Sequence, residues 1–244
     1  MASKNFISIQ TQKRLLRDVA DIMKNNLSNQ GIYYIHDEEN ILKGYAMIFG
    51  PKDTPYENGV YFFDFHFPNN YPFVPPKLTY LTNDTHGTRY NPNLYRNGKV
   101  CLSILNTWKG EQWTSCQTIR SVLLTLVTVL NENPLINEPG IKITSPHVKT
   151  YNKIIKYRNY QIAILKVLQK KLLPMKHISF YPIIKNHILS NKETILKNIK
   201  NDYKKYKTNL ADNKTIHCRI YNMNCIPNYE KLLSDFQSFI NNNN

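Results

Sequence analysis

One stretch limits the folds open to this chain more than any other. Val60–Phe67 alternates strictly, with Tyr61, Phe63, Phe65 and Phe67 on one face and Val60, Phe62, Asp64 and His66 on the other. A period of two over eight residues, rich in aromatics, predicts a β-strand with one well-buried face. The next segment, Tyr71-Pro72-Phe73-Val74-Pro75-Pro76, holds too much proline for a helix or a central strand. The chain must therefore leave the sheet there and return, and Lys77–Leu81 predicts the returning strand.

Two further strands are predicted upstream, over Ile32–Ile35 and Tyr45–Phe49. They are joined by the acidic loop Asp37–Asn40, and the turn-rich Gly50–Gly59 connects them to the alternating strand. Short connections between successive strands give an antiparallel meander of four. Before it, Leu15, Leu16, Val19, Ile22, Met23 and Leu27 recur at helical spacing, which predicts an amphipathic helix from about residue 8 to 28. Period two alone reads Asp64 and His66 as a surface pair on the polar face, not as an acid–base pair.

After the meander, Tyr90–Leu105 places Asn91-Pro92-Asn93, then Asn97-Gly98, ahead of Cys101, which lies in the apolar run Val100–Leu105. Asn-Gly is the strongest short turn signal. Taken locally, Cys101 has two readings. It is a small core hydrophobe, or it is a thiol presented beside a rigid, amide-bearing turn, the outline of a thioester-forming site. A loop with Trp108 and Trp113 follows. Thr114 or Ser115 is placed to cap a helix running to about Asn131, whose Ile119, Val122, Leu123, Leu126, Val129 and Leu130 face the sheet. Asn133-Pro134 stops it. An irregular segment, Leu135–Pro146, leads to a helix over about 148–172 that ends before Pro174. Helices are also predicted near 192–207 and 229–240. The fold class is α+β: N-terminal helix, four-stranded antiparallel meander, cysteine-bearing loop, packing helices and a helical C-terminal extension. The expected division is 8–172 and 173–244.

Hydrophobic residues at 41% of 244 suit a folded core. No apolar run reaches the roughly 18–20 residues of a membrane span, and the N-terminus lacks the apolar core of a signal peptide. A cytosolic or nuclear, non-secreted protein is expected. The four cysteines, Cys101, Cys116, Cys218 and Cys225, form no C-x-x-C pair, so neither a disulfide framework nor a zinc site is expected. His217, Cys218 and Cys225 lack further ligands nearby. The +15 formal charge is uneven. Residues 1–150 carry 15 Lys+Arg against 12 Asp+Glu, a balance of +3, and residues 151–244 carry 17 against 5, a balance of +12. A solvated lysine-rich surface accounts for this excess better than RNA or an anionic membrane does, because no arginine-rich or aromatic recognition motif accompanies it.

The motifs occur in a recognisable order. Gly50-Pro51 with Asp53-Thr54-Pro55-Tyr56, Phe67-Pro68, Tyr71–Lys77, Asn91-Pro92-Asn93 eight residues before Cys101, Trp113 and Asn133-Pro134 resemble the successive signatures of the ubiquitin-conjugating enzymes. The likeness is collinear over about 10–172. Asn93–Leu105 and Asn137-Glu138-Pro139-Gly140 are phrased as in the Z-type and giant inhibitor-of-apoptosis branch. The resemblance implies that Cys101 accepts ubiquitin or a ubiquitin-like modifier as a thioester from an activating enzyme and passes it to a substrate lysine or a ligase, with no cofactor or metal. Arg96 and Lys99 would modestly favour the thiolate. Asn93 would stabilise the oxyanion or brace its loop, and Asn91 stands where the family has a loop-ordering histidine. The acid beside the incoming lysine falls at Asn137 or Glu138. Lys13, Arg14 and Arg17 match the surface that meets the activating enzyme, and Phe73, Ser115 and Cys116 the ligase-binding loops. Ser115-Cys116 replaces the family's Pro-Ala, which weakens the expectation of ordinary RING ligases. The alternatives are an inactive scaffold of the same fold, or a nucleic-acid- or membrane-binding role for the extension.

Overall fold

A computed structural model of the chain describes residues 7–84, 87–209 and 215–242. Most of the N-terminal start, read above for a signal peptide, lies outside these. The sheet is the expected antiparallel meander, in spatial order β1 (Ile32–His36), β2 (Lys43–Phe49), β3 (Val60–His66) and β4 (Lys77–Tyr80). Register is set by the buried aromatics: Ala46 faces Phe63, and Phe63 faces Tyr80. Gly50 closes the β2–β3 connection, donating to the Gly59 carbonyl at 2.8 Å. A Cβ there would stand 1.8 Å from the Tyr56 carbonyl oxygen, so only glycine fits.

Helix α1 (Ile9–Lys24) is capped by Ser8, whose hydroxyl accepts from the Thr11 amide. Its buried stripe is narrower than the periodicity predicts. Leu15 and Ile22 are buried, whereas Leu16 and Met23 are 62% and 77% exposed. Helix α2 (Ile119–Val129) starts later than expected. Thr118 is the cap, in a reciprocal box with Ser121, and Thr114–Gln117 forms a turn before it. Helix α3 (Pro146–Arg158) continues as a π-helix over Asn159–Lys166. The buried Asn159 side chain there donates to the Glu57 carbonyl at 2.9 Å and accepts the Tyr61 hydroxyl at 2.6 Å. The π segment thus begins where a helical side chain is tied to the β2–β3 connection.

The core is rich in tyrosine, and each fully buried ring needs a partner for its hydroxyl. Tyr56 donates to the Tyr90 carbonyl at 2.6 Å, Tyr151 to the Arg89 carbonyl at 2.6 Å, and Tyr71 to Asp18 on α1. The Tyr71–Pro72 peptide is cis.

The extension packs against the rest of the chain. It contains α4 (Tyr181–Ser190), α5 (Lys192–Asn209), a hairpin of β5 (Ile216–Cys218) and β6 (Met223–Cys225), and α6 (Tyr229–Asn241). Its buried Ile184, Ile188, Cys218, Met223 and Phe236 join the same hydrophobic cluster as the sheet. The turn preceding α4 covers the second face of the meander. His177, fully buried, packs on Phe62 and Tyr45 and stands 3.5 Å from Asp64, while His187 stacks on Phe49 at 3.8 Å. Asp64 therefore faces the extension and is half-buried, while His66 is exposed, so the two are not the surface pair that alternation predicts. No helix of the described residues is long and apolar enough to cross a membrane.

Candidate active site

Asn91-Pro92-Asn93 and Cys101 lie on the two arms of a small hairpin. Leu94 pairs with Val100, Tyr95 N–H donates to the Lys99 carbonyl at 2.9 Å, and Gly98 takes positive φ (86°) at the tip. A Cβ on Gly98 would stand 3.0 Å from the Tyr80 carbonyl, because the tip is bonded to β4. Asn-Gly meets both demands, left-handed backbone and close approach.

At the base of this hairpin Cys101 is held at both backbone groups. Its N–H donates to the Asn93 carbonyl at 2.8 Å, and its carbonyl accepts from Asn93 Nδ2 at 2.7 Å. Asn93 Oδ1 is buried with no hydrogen-bond partner among the described residues. Asn91, wholly buried, spends both ends of its amide. Nδ2 donates to the Val129 carbonyl at 2.7 Å and to the Tyr56 hydroxyl at 2.9 Å, and Oδ1 accepts the Asn93 N–H at 2.9 Å. One side chain thus fixes the turn to the C-terminal end of α2 and to the buried Tyr56. Cys101 itself is 1% exposed.

The same Val129 carbonyl accepts from Asn137 Nδ2 at 3.1 Å, and Asn137 Oδ1 accepts from Asn131 at 3.1 Å. Asn137 is therefore a tie between the loop after α2 and the helix end. Glu138, next to it, is half-buried and accepts a hydrogen bond from the Tyr221 hydroxyl of the extension. Burial and the Glu138 carboxylate push the Tyr221 phenol well above its ordinary range. Arg96 Nη2 donates to the Tyr221 carbonyl at 2.5 Å, and Lys99 stands over the Tyr95 ring at 5.6 Å.

Sequence reasoning missed three members of this arrangement. Tyr56 belongs to a turn-rich connection and to a family signature, neither of which names it as a partner of the tripeptide turn. Arg89 donates to the Asn91 and Pro92 carbonyls at 3.0 and 2.6 Å, with its guanidinium 3.4 Å from the Tyr95 ring centre. A lone cation two residues before the tripeptide is a signal that could have found it. Tyr221, in an extension read as choppy helix, gave none.

The predicted partner residues lie on other surfaces. Lys13 and Arg17 are exposed on α1. Arg14 is spent internally, on Asp18 at 2.8 Å and on the Ser115 and Gln117 carbonyls at 2.6 and 2.5 Å. Phe73 is 62% exposed, and Ser115 and Cys116 are exposed. Trp113 ties the two loops together, donating to the Pro72 carbonyl at 2.6 Å. No group of three or more His, Cys, Asp or Glu among the described residues is placed to hold a metal. His217 instead pairs with Asn224.

Helix, meander, clamped cysteine hairpin and crossing helices define a class of α+β proteins that hold one thiol beside an asparagine-rich turn. Comparison with known proteins gives that class its family. The chain belongs to the ubiquitin-conjugating enzymes, whose family model matches residues 14–158. It is 40% identical over 166 residues to ubiquitin-conjugating enzyme E2 Z of Xenopus tropicalis, covering 67% of this chain and 52% of that protein. It is 47% identical over 120 residues to the human dual E2 ubiquitin-conjugating enzyme/E3 ubiquitin-protein ligase BIRC6, covering 46% of this chain and 2% of that one. The solved structure of human ubiquitin-conjugating enzyme E2 G1 aligns with 29% identity and a TM-score of 0.44, over 51% of this chain and 98% of that one. The chain spans about half the length of the E2 Z relatives it matches.

Proposed function

We infer that Cys101 is the thioester nucleophile of an active conjugating enzyme. The observation that carries this reading is the two-bond clamp between Asn93 and the Cys101 backbone, in the segment where the family match and the motif order coincide. The Cys101 thiolate attacks the carbonyl of the modifier's thioester on an activating enzyme. A new C–S bond forms and the activating enzyme's thiolate leaves. The substrate lysine amine or a ligase thiol then attacks in turn, and the Cys101 thiolate departs. Asn93 Nδ2 carries two hydrogens, and its bond to the Cys101 carbonyl uses one, so the other is available to the oxyanion. Since Asn137 is occupied as a loop tie, Glu138 is the better assignment for the acid near the incoming lysine.

Residues 8–172 supply this chemistry, with 173–244 packed behind and beside it. On this reading Lys13 and Arg17 meet the activating enzyme while Arg14 braces α1. Phe73, Ser115 and Cys116 present the ligase surface, and the reaction takes place in the cytosol or nucleus. The test is incubation with ATP, ubiquitin or related modifiers and a panel of activating enzymes. A reductant-sensitive adduct that Cys101→Ala abolishes is expected. Its absence with every activating enzyme and modifier would overturn the reading.

A further inference from the structure

The β5–β6 hairpin belongs to the basic extension, yet its turn ends on the two loops that carry the candidate site. Tyr221 and Asn222 both hold left-handed backbone, with φ of 63° and 46°. That conformation is common for an asparagine in a hairpin turn but unfavourable for a tyrosine, so Tyr221 holds it against its own preference. Three contacts keep it there. Its hydroxyl donates to the Glu138 carboxylate, its carbonyl accepts from Arg96 at 2.5 Å, and its ring centre lies 5.0 Å from the Arg89 guanidinium. Arg89 in turn holds the Asn91 and Pro92 carbonyls, and its own N–H meets Met223 Sδ at 3.2 Å.

We propose that Tyr221 is a positioning residue for transfer to lysine: it fixes the Glu138 carboxylate and, through Arg89, the tripeptide turn, so that the extension completes the acceptor side of the site. The proposal rests on the reading of Cys101 as the thioester nucleophile. In the transfer step the lysine nitrogen forms its bond to the thioester carbon, the C–S bond breaks, and Cys101 leaves as thiolate. The nitrogen's proton passes to Glu138 or to water. A carboxylate that accepts a tyrosine hydroxyl is held in one orientation.

The test is Tyr221→Phe in the full chain, which deletes the hydroxyl and keeps the ring beside Arg89. Single-turnover discharge of the Cys101-linked modifier onto free lysine is followed at one fixed pH. The expected result is a loss of about tenfold, the loss of one hydrogen bond to a charged group. Glu138→Gln should show a loss of its own that Tyr221→Phe does not deepen, because both act through one carboxylate. Tyr203→Phe, which removes a hydroxyl bonded to Glu230 within the extension, should leave discharge unchanged. Wild-type discharge in Tyr221→Phe, or losses that multiply in the double variant, would overturn the proposal. Hydrogen exchange of the segment carrying Glu138 supplies a readout independent of activity. Faster exchange there in Tyr221→Phe is expected, and unchanged exchange would overturn the positioning role even in a protein that no activating enzyme charges. Failure of the wild type to charge strikes the functional reading instead.

Discussion

The brace seen for the Asn93 side chain and the oxyanion role proposed for it can be separated by mutation. As a brace it contributes one hydrogen bond to a buried carbonyl, so Asn93→Ala should lower unfolding stability by about 1 kcal/mol in a denaturant titration. On the proposed function its role as oxyanion donor matters most for the harder attack by an amine, so discharge onto lysine should slow far more than charging does. Equal slowing of both steps would leave only the brace. The cysteines should likewise separate by environment. Cys116 is exposed, Cys101 is 1% exposed, and burial pushes the Cys218 thiol up and that of Cys225 to about 11. Only the thiolate reacts. Peptide-resolved alkylation near neutral pH should therefore modify Cys116 first, Cys101 more slowly, and Cys218 and Cys225 last. Alkylation of Cys225 ahead of Cys101 would contradict this ordering.

Among the elements, the β2–β3 connection has the least freedom to vary. Gly50→Ala places a methyl carbon 1.8 Å from the Tyr56 carbonyl oxygen, which is backbone and cannot swing aside. The Tyr56 hydroxyl receives the Asn91 amide, so a displaced connection also disturbs the tripeptide turn. Gly50→Ala should cost about 3 kcal/mol of stability, read from the shift of the unfolding midpoint, and should lower charging of Cys101 as well. The same coupling explains the helix ends. The C-terminal end of α2 is tied through one carbonyl, Val129, to both Asn91 and Asn137, so α2 serves the site through its last turn as well as through the apolar face it buries.

For the whole molecule, the extension makes stability depend on pH. His177 and His187 lie between it and the sheet, and burial lowers both, His177 to about 4. An unfolded histidine titrates near 6.5. Between those values the unfolded chain binds a proton that the folded chain excludes, so stability is full above about pH 6.5 and falls as pH drops towards 4. Burial holds the Asp64 carboxyl above its usual range, which acts in the opposite sense and partly offsets the loss. For His177 alone the loss is on the order of 2 kcal/mol at pH 5. His177→Phe, which keeps a ring among Tyr45, Phe62 and Phe180, should flatten the dependence in urea unfolding measured from pH 7.5 to 5. A slope equal to wild type would show that His177 does not set it.

Local signals were enough for the elements whose periodicity is their own. Alternation in β3, turn chemistry at Gly50–Gly59 and Asn97-Gly98, and the helical stripe of α2 each report a preference that a few neighbouring residues settle, and the α+β meander with its helices follows from them. The order of motifs likewise marked Cys101, Asn93 and Asn91 as members of one loop. What the sequence did not carry was which surfaces meet. The outer face of β3 reads as half-polar, yet the extension covers it. Leu16 and Met23 read as core, yet they face outward. Tyr221 lies 83 residues from Glu138 in the chain, and nothing in the local pattern of either names the other. Sequence by itself determined the strands, the turns and the cysteine's company, because those depend on spacing. Only the tertiary structure decided that the basic extension reaches the site, because that depends on the closing of long loops over buried area and specific hydrogen bonds.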